Sequence, residues 1–105
     1  MNCKHCGASV NKHKAGYVTD VCVSATLGES STKTWTEHYS EFVFSELLAG
    51  IKCMLPIDYN LRMESTYAGW CVSGECPHGA THYKTYAETL PLALCRMLLS
   101  MEEER

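Results

Sequence analysis

The chain begins with two cysteines in a tight run. Cys3-Lys4-His5-Cys6-Gly7 is a C-x-x-C-G knuckle, which can present two thiolates to one metal ion from a single turn. Gly7 allows the backbone to bend sharply after the second cysteine. A structural ion needs further ligands, so the knuckle must be tied to another part of the fold.

The segment Cys71-Val-Ser-Gly-Glu-Cys76-Pro-His78 offers those further ligands. Zinc prefers thiolate and imidazole in a closed tetrahedron where its role is structural. We predict a structural zinc ion whose ligands come from Cys3, Cys6, Cys71, Cys76 and His78. If Cys71 points elsewhere on its strand, His78 or His82 is the alternative ligand. Two alternatives stay open from the sequence: free thiols, or a Cys3–Cys6 redox pair.

Length and composition describe one domain over residues 1–105, with a cysteine-bearing extension at 1–16 and a core at 17–105. Apolar residues make up 46% of the chain and charged residues 20%, so it can bury a core. The net charge of −3 and the scattered lysines and arginines argue against a protein that tracks phosphates. No apolar leader opens the chain, and its longest apolar segments are too short to span a membrane.

Seven cysteines are present, and three of them, Cys22, Cys53 and Cys95, lie inside apolar stretches. An odd number of cysteines in such positions is typical of a reducing, intracellular protein rather than a disulfide scaffold. These three are predicted to be buried free thiols.

The apolar spacing predicts an α+β fold, with a small antiparallel sheet packed against two or three helices. Helices are expected from a cap at Thr19-Asp20 to Gly28, from Ser40 to Pro56, and from Thr89 onward, although the β-branched residues of 21–27 also fit a strand. Strands are expected at 57–66, from Trp70, and at 82–86, and residues 28–36 read as a loop. The predicted core is Val21, Phe44, Leu47, Ile51, Leu61, Met63, Trp70, Leu94 and Leu98.

Residues 19–101 resemble the phage ABA-sandwich domain, a family of small phage-encoded proteins with no assigned activity. The similarity lies in Tyr39-Ser40 opening a helix, Gly69-Trp70 on a strand, and the run Thr89-Leu-Pro-Leu-Ala-Leu-Cys-Arg96. The resemblance implies helix-sheet-helix layers, a phage or prophage origin, and a place in the cytoplasm of the infected or lysogenic bacterium. The cysteine knuckle is an addition to that pattern.

No catalytic constellation stands out, because nucleophile elbows and phosphate-cradling glycine loops are missing and no H-x-E precedes Glu75. The leading hypothesis is a non-enzymatic phage accessory protein that binds a host protein or complex. Inhibitors of bacterial defence, including anti-CRISPR proteins, are one class of this kind. A zinc-stabilised nucleic-acid-binding regulator is the alternative, and a small zinc enzyme is less favoured. The predicted partner-binding residues are aromatic: Tyr59, Tyr67, Trp70, Tyr83 and Tyr86.

Overall fold

Three α-helices and three β-strands make up the computed structural model over the residues that the structure describes, 2–30, 33–36 and 41–103 without the side chain of His82. In chain order they are α1 (Tyr17–Leu27), α2 (Glu41–Met54), β1 (Asn60–Thr66), β2 (Gly69–Glu75), β3 (Thr81–Ala87) and α3 (Leu90–Glu103). The predicted α+β class is confirmed. Tyr39 and Ser40, which were expected to open α2, lie outside the described residues.

The ends of α1 and α3 follow from local chemistry. Gly28 adopts a left-handed conformation with φ of 73°, which ends α1 as the sequence predicts. At the start of α3, the Leu92 N–H donates to Thr89 Oγ1 at 3.4 Å, and Pro91 lies in the first turn, where no helical hydrogen bond is lost. The backbone freedom of Gly28 therefore favours the end of α1, and Thr89 and Pro91 favour the start of α3.

Asp20 has a different role from the predicted helix cap. It lies in the first turn of α1 and is buried, and its Oδ1 accepts hydrogen bonds from the Trp35 N–H, the Thr36 N–H and the Thr36 hydroxyl at 2.9–3.1 Å. The helix begins earlier, at Tyr17. Asp20 thus accepts hydrogen bonds from the backbone N–H groups of a distant loop instead of those at the N-terminus of its own helix.

The three strands form one antiparallel sheet in the order β1-β2-β3. A tight turn joins β1 to β2 at Gly69, whose φ is 139°. A Cβ at this position would lie 2.3 Å from the Ala87 carbonyl oxygen on β3. Glycine is therefore required where β2 begins beside the end of β3.

The two faces of the sheet differ in chemistry. The face that carries Leu61, Val72 and Tyr83 packs against α3 and the end of α2. On the opposite face Arg62 forms ion pairs with Glu64 and Glu75, and this face also carries exposed Lys84 and Tyr86. Alternation along the edge strands β1 and β3 separates apolar from charged side chains. In the central strand β2, Cys71 and Ser73 lie on the charged face but are also buried.

Helix α3 is the centre of the molecule. It packs against β2, β3, α1, α2 and a short 3-10 helix at Val10–Lys12, while α1 packs against α3 rather than against the sheet. The layers run sheet, helix, helix, whereas the resemblance implies helix, sheet, helix. Nine of the fourteen residues of α3 are buried, as expected for a helix enclosed on several sides.

The buried residues agree with most of the predicted core. Leu47, Ile51, Leu94 and Leu98 are fully buried, and Phe44, Leu61 and Trp70 are partly buried against them. Val21 and Met63 were wrongly placed in the core, since they are 37% and 36% exposed. Val21 lies on the outer side of α1, and Met63 lies on the edge strand β1, which is mostly exposed. The predicted burial of Cys53 was also wrong, since this thiol is exposed on α2.

Trp35 belongs to the core, although the sequence places it in a predicted polar loop. Its side chain is fully buried, and its Nε1–H donates to Ser24 Oγ at 2.8 Å. The loop therefore folds back over α1, where the tryptophan contributes apolar burial and the indole N–H keeps a partner.

Candidate metal centre

Four potential metal ligands meet at the N-terminal end of the fold. The sulfur atoms of Cys3, Cys6 and Cys22 and a ring nitrogen of His13 all lie within 4.8 Å of one another. In a tetrahedral zinc site a sulfur and a nitrogen ligand are about 3.5 Å apart. Cys6 Sγ and His13 Nε2 are separated by 3.3 Å. The cluster could therefore hold one metal ion with little rearrangement.

The first two ligands lie on a small hairpin knuckle. Asn2 and Ser9 form an isolated antiparallel bridge, the Cys3 N–H donates to the Ala8 carbonyl at 2.6 Å, and the Gly7 N–H donates to the Cys3 carbonyl at 2.9 Å. Gly7 has a φ of 78°, as the sharp bend after Cys6 requires. The knuckle that the sequence indicates is therefore present, with both sulfur atoms facing the cluster.

His13 follows the short 3-10 helix and is held at both ends. Its Nδ1–H donates a hydrogen bond to the Ser9 carbonyl at 3.0 Å, so Nε2 keeps the lone pair that faces the cysteines. Arg96 of α3 donates from its Nε to the His13 carbonyl at 2.9 Å, and from Nη1 to the Tyr86 carbonyl at 2.6 Å. One arginine thus connects the ligand loop to α3 and to β3.

Cys22 is the fourth ligand and comes from the middle of α1. It is 2% exposed, and Cys3 and His13 are 3% and 4% exposed, so only Cys6 of the four is open to solvent. His5 Nε2 lies 2.9 Å from the hydroxyl of Thr26, one helical turn beyond Cys22. The knuckle is therefore held against α1 by a second polar contact besides the ligands.

The environments of the thiols differ in the cluster. A hydrogen bond from the Ala8 backbone is the main factor that lowers the pKa of Cys6, whereas burial raises the pKa of Cys22 to about 12. Without a cation the buried thiol keeps its proton. A bound divalent ion reverses this preference because it stabilises each thiolate, so binding of the ion releases protons.

The predicted ligands divide into two groups. Cys3 and Cys6 belong to the cluster, while Cys71, Cys76 and His78 do not, and they form no second group of three or more ligands among the residues described. Cys71 lies on β2, on the sheet face that points away from α3, and pairs with Glu64 and Tyr86. The strand alternation that buries Val72 therefore turns Cys71 away from the knuckle. The side chain of His82 lies outside the described set.

His13 and Cys22 take the places expected for the downstream residues. All four ligands fall within the first 22 residues, in the pattern C-x2-C-x6-H-x8-C. The ion would thus hold the knuckle on α1 and not on the middle of the chain. Cys22 was interpreted as a core thiol because its neighbours are apolar, and it does belong to the apolar core. The spacing from Cys6 to His13 was the signal that could have identified the set.

The predicted aromatic surface is divided. Tyr67 is fully exposed at the β1–β2 turn, and Tyr86 is 56% exposed on the charged face of the sheet. Tyr59, Trp70 and Tyr83 are partly buried against the core. The five side chains therefore do not form one continuous surface.

Comparisons with models of known protein families, with curated proteins and with solved structures found no match. In the part of the chain that the structure covers, none of the helices has the length and apolar character needed to cross a bilayer.

Proposed function

We propose that this protein is a non-enzymatic binding module built around a structural zinc ion. The observation that carries the proposal is the set of four protein ligands, three thiolates and one imidazole, gathered within 4.8 Å. Four protein ligands fill a tetrahedron and leave no position for water or substrate. A catalytic zinc ion needs such an open position.

The donor set favours zinc over harder cations. Thiolate and imidazole suit Zn²⁺, whereas Mg²⁺ and Ca²⁺ require oxygen ligands. The hydrogen bond from His13 Nδ1 to the Ser9 carbonyl and the clamp of Arg96 on the His13 carbonyl are the kind of outer contacts that fix a metal-bound imidazole. These contacts support a built site rather than a chance grouping of thiols.

We further propose that the module is a phage or prophage accessory protein that binds a host protein in the cytoplasm of the infected or lysogenic bacterium. The support is the similarity of residues 89–96 to the start of the closing helix of the phage ABA-sandwich family, together with a metal site suited to stability rather than turnover. Inhibition of a bacterial defence system, as by anti-CRISPR proteins, is one form of this activity.

Cobalt substitution tests whether the centre is closed. Co²⁺ bound to three sulfurs and one nitrogen in a tetrahedron should give intense visible absorption that excess azide does not change. A Cys53→Ser control, which removes an exposed thiol on α2, should give the same spectrum as the natural sequence. A spectrum that shifts with azide would show an open coordination position and would favour an enzyme over a structural site.

The binding role needs a separate test. The zinc-loaded protein is used as bait in lysate from the bacterial host, and the gene is deleted from the phage or prophage. A specific host protein that co-purifies, together with reduced phage fitness after the deletion, is the expected result. If no protein co-purifies and fitness does not change, the accessory role is wrong even where the zinc site is intact.

A further inference from the structure

A shallow groove lies beside the metal centre, between the knuckle and the first turn of α1. Its volume is about 290 Å³. Ala8, Ala15, Tyr17 and Val18 provide its apolar lining, and Lys12 and Lys14 add the charge. The groove therefore combines an apolar floor with cations at one end of the molecule.

The apolar side chains continue from the groove along α1. Tyr17 is 75% exposed, Val18 is 62% exposed and Val21 is 37% exposed. Residues three and four apart share one face of a helix, so Val21 continues the exposed apolar surface of Tyr17 and Val18 along α1. A contiguous exposed apolar patch is typical of a surface that is covered by a partner.

The charge of this region is opposite to that of the chain as a whole. Lys4, Lys12 and Lys14 precede the first acidic residue, Asp20, in a protein whose net charge is −3. Asp20 is buried and its carboxylate accepts hydrogen bonds from the Trp35–Thr36 loop, so it does not offset the surface lysines.

Two of these lysines are available to a partner. Lys4 lies 3.8 Å from Glu102, whereas Lys12 and Lys14 are exposed and make no ion pair within residues 2–30, 33–36 and 41–103. A zinc ion with three thiolates would add a charge of about −1, and the exposed Cys6 is one of the residues that line the groove. The two positive charges of Lys12 and Lys14 exceed that charge, so the mouth of the groove stays cationic.

We propose that this groove binds a short acidic segment of a protein partner, with an apolar side chain against Ala15, Tyr17 and Val18 and carboxylates near Lys12 and Lys14. The inference deepens the proposed function, on which it rests, by naming the chemistry of the partner. Nucleic acid is less favoured because a phosphate backbone is usually met by a larger cluster of cations, and here the floor is apolar.

The test selects ligands without assuming their sequence. Random 12-residue peptides are displayed and selected on the zinc-loaded protein, and the enriched peptides are then titrated against purified variants. Lys12→Glu/Lys14→Glu reverses the charge of the groove. Lys52→Glu/Lys84→Glu makes the same change in net charge on α2 and β3, outside the groove. Tyr17→Ala and Phe42→Ala are matched truncations of exposed aromatic side chains inside and outside the groove.

The proposal predicts enriched peptides in which a large apolar residue is flanked by Asp or Glu. Binding should weaken by about tenfold or more in Lys12→Glu/Lys14→Glu and in Tyr17→Ala, and should weaken at high salt. The two control variants should bind like the natural sequence. The proposal would be overturned if no peptides were enriched, if basic peptides were enriched, or if the control variants lost as much binding as the groove variants. Tight binding of a dT12 oligonucleotide to the same groove would also overturn it.

Zinc content and the melting temperature are measured on every variant in parallel. A natural sequence that keeps zinc and stability but binds no acidic peptide would disprove the groove alone. A natural sequence that holds no zinc would disprove the proposed metal centre, whatever the peptides show.

Discussion

The knuckle region at residues 2–16 and helix α3 are stabilised in different ways. Three of the fifteen residues in 2–16 are buried, Cys3, Val10 and His13, whereas nine of the fourteen residues of α3 are buried. Burial of apolar surface is enough to order α3. The knuckle region buries too little, so we expect its order to depend on the proposed metal ion and on a few hydrogen bonds from neighbouring elements.

The largest expected effect comes from a cavity in α3. Leu98 is fully buried, and Leu98→Ala should lower the free energy of unfolding by about 3 kcal/mol because methyl groups and their packing are lost. The melting temperature should fall by about 12 °C or more. Thermal unfolding followed by circular dichroism measures the change. Elemental analysis should find the metal content unaltered, and a loss of metal in this variant would show that the two regions are not separable.

Loss of a metal ligand should affect the knuckle region first. Cys22→Ser removes a buried thiolate, so the ion should be lost and the free energy of unfolding should fall by about 2 kcal/mol or more. Hydrogen exchange should increase in residues 2–16 while α3 stays protected.

Cys53→Ser is the control, because Cys53 is exposed on α2 and outside the cluster. Equal increases in exchange across the knuckle and α3 in Cys22→Ser would contradict the difference between the regions.

Arg96 connects the two regions and offers a way to weaken only their link. Its guanidinium donates to the His13 and Tyr86 carbonyls, so Arg96→Met should cost about 2 kcal/mol of stability. Metal affinity should fall by about tenfold, because the arginine positions the segment that carries an imidazole ligand. Competition with a coloured chelator measures the affinity. Arg96→Lys should restore little, since an ammonium cannot reproduce the forked geometry; full restoration by lysine would rule out this role.

The smallest expected effect concerns alkaline pH. Burial, aided by the charge of Asp20, raises the pKa of the Cys95 thiol in α3 above its ordinary value of about 9. The unfolded chain loses this proton as pH rises past about 9 while the folded chain keeps it, so the stability falls above that pH and is unaffected below it. Melting temperatures from pH 7 to 10.5 should show a shallower alkaline decline in Cys95→Ala than in Cys53→Ala. Identical declines would contradict the assignment.

The sequence predicted elements whose signals are local. The knuckle has its own spacing, Gly28 ends α1, Thr89 and Pro91 open α3, and the alternation of β1 identifies a strand. The metal ligands and Trp35 depended on distant contacts. Cys22 resembles an ordinary core residue until the knuckle is seen beside it, and Trp35 is buried because Asp20 accepts hydrogen bonds from its loop. Such pairings arise from tertiary packing, which no local pattern encodes.

The most direct test of the metal centre is the zinc content of protein purified without added metal, compared between His13→Ala and His78→Ala. The structure places His13 in the cluster and His78 outside it. We predict about one zinc ion per chain in the natural sequence and in His78→Ala, and almost none in His13→Ala. Zinc that is kept in His13→Ala and lost in His78→Ala, or a natural sequence without zinc, would contradict the account.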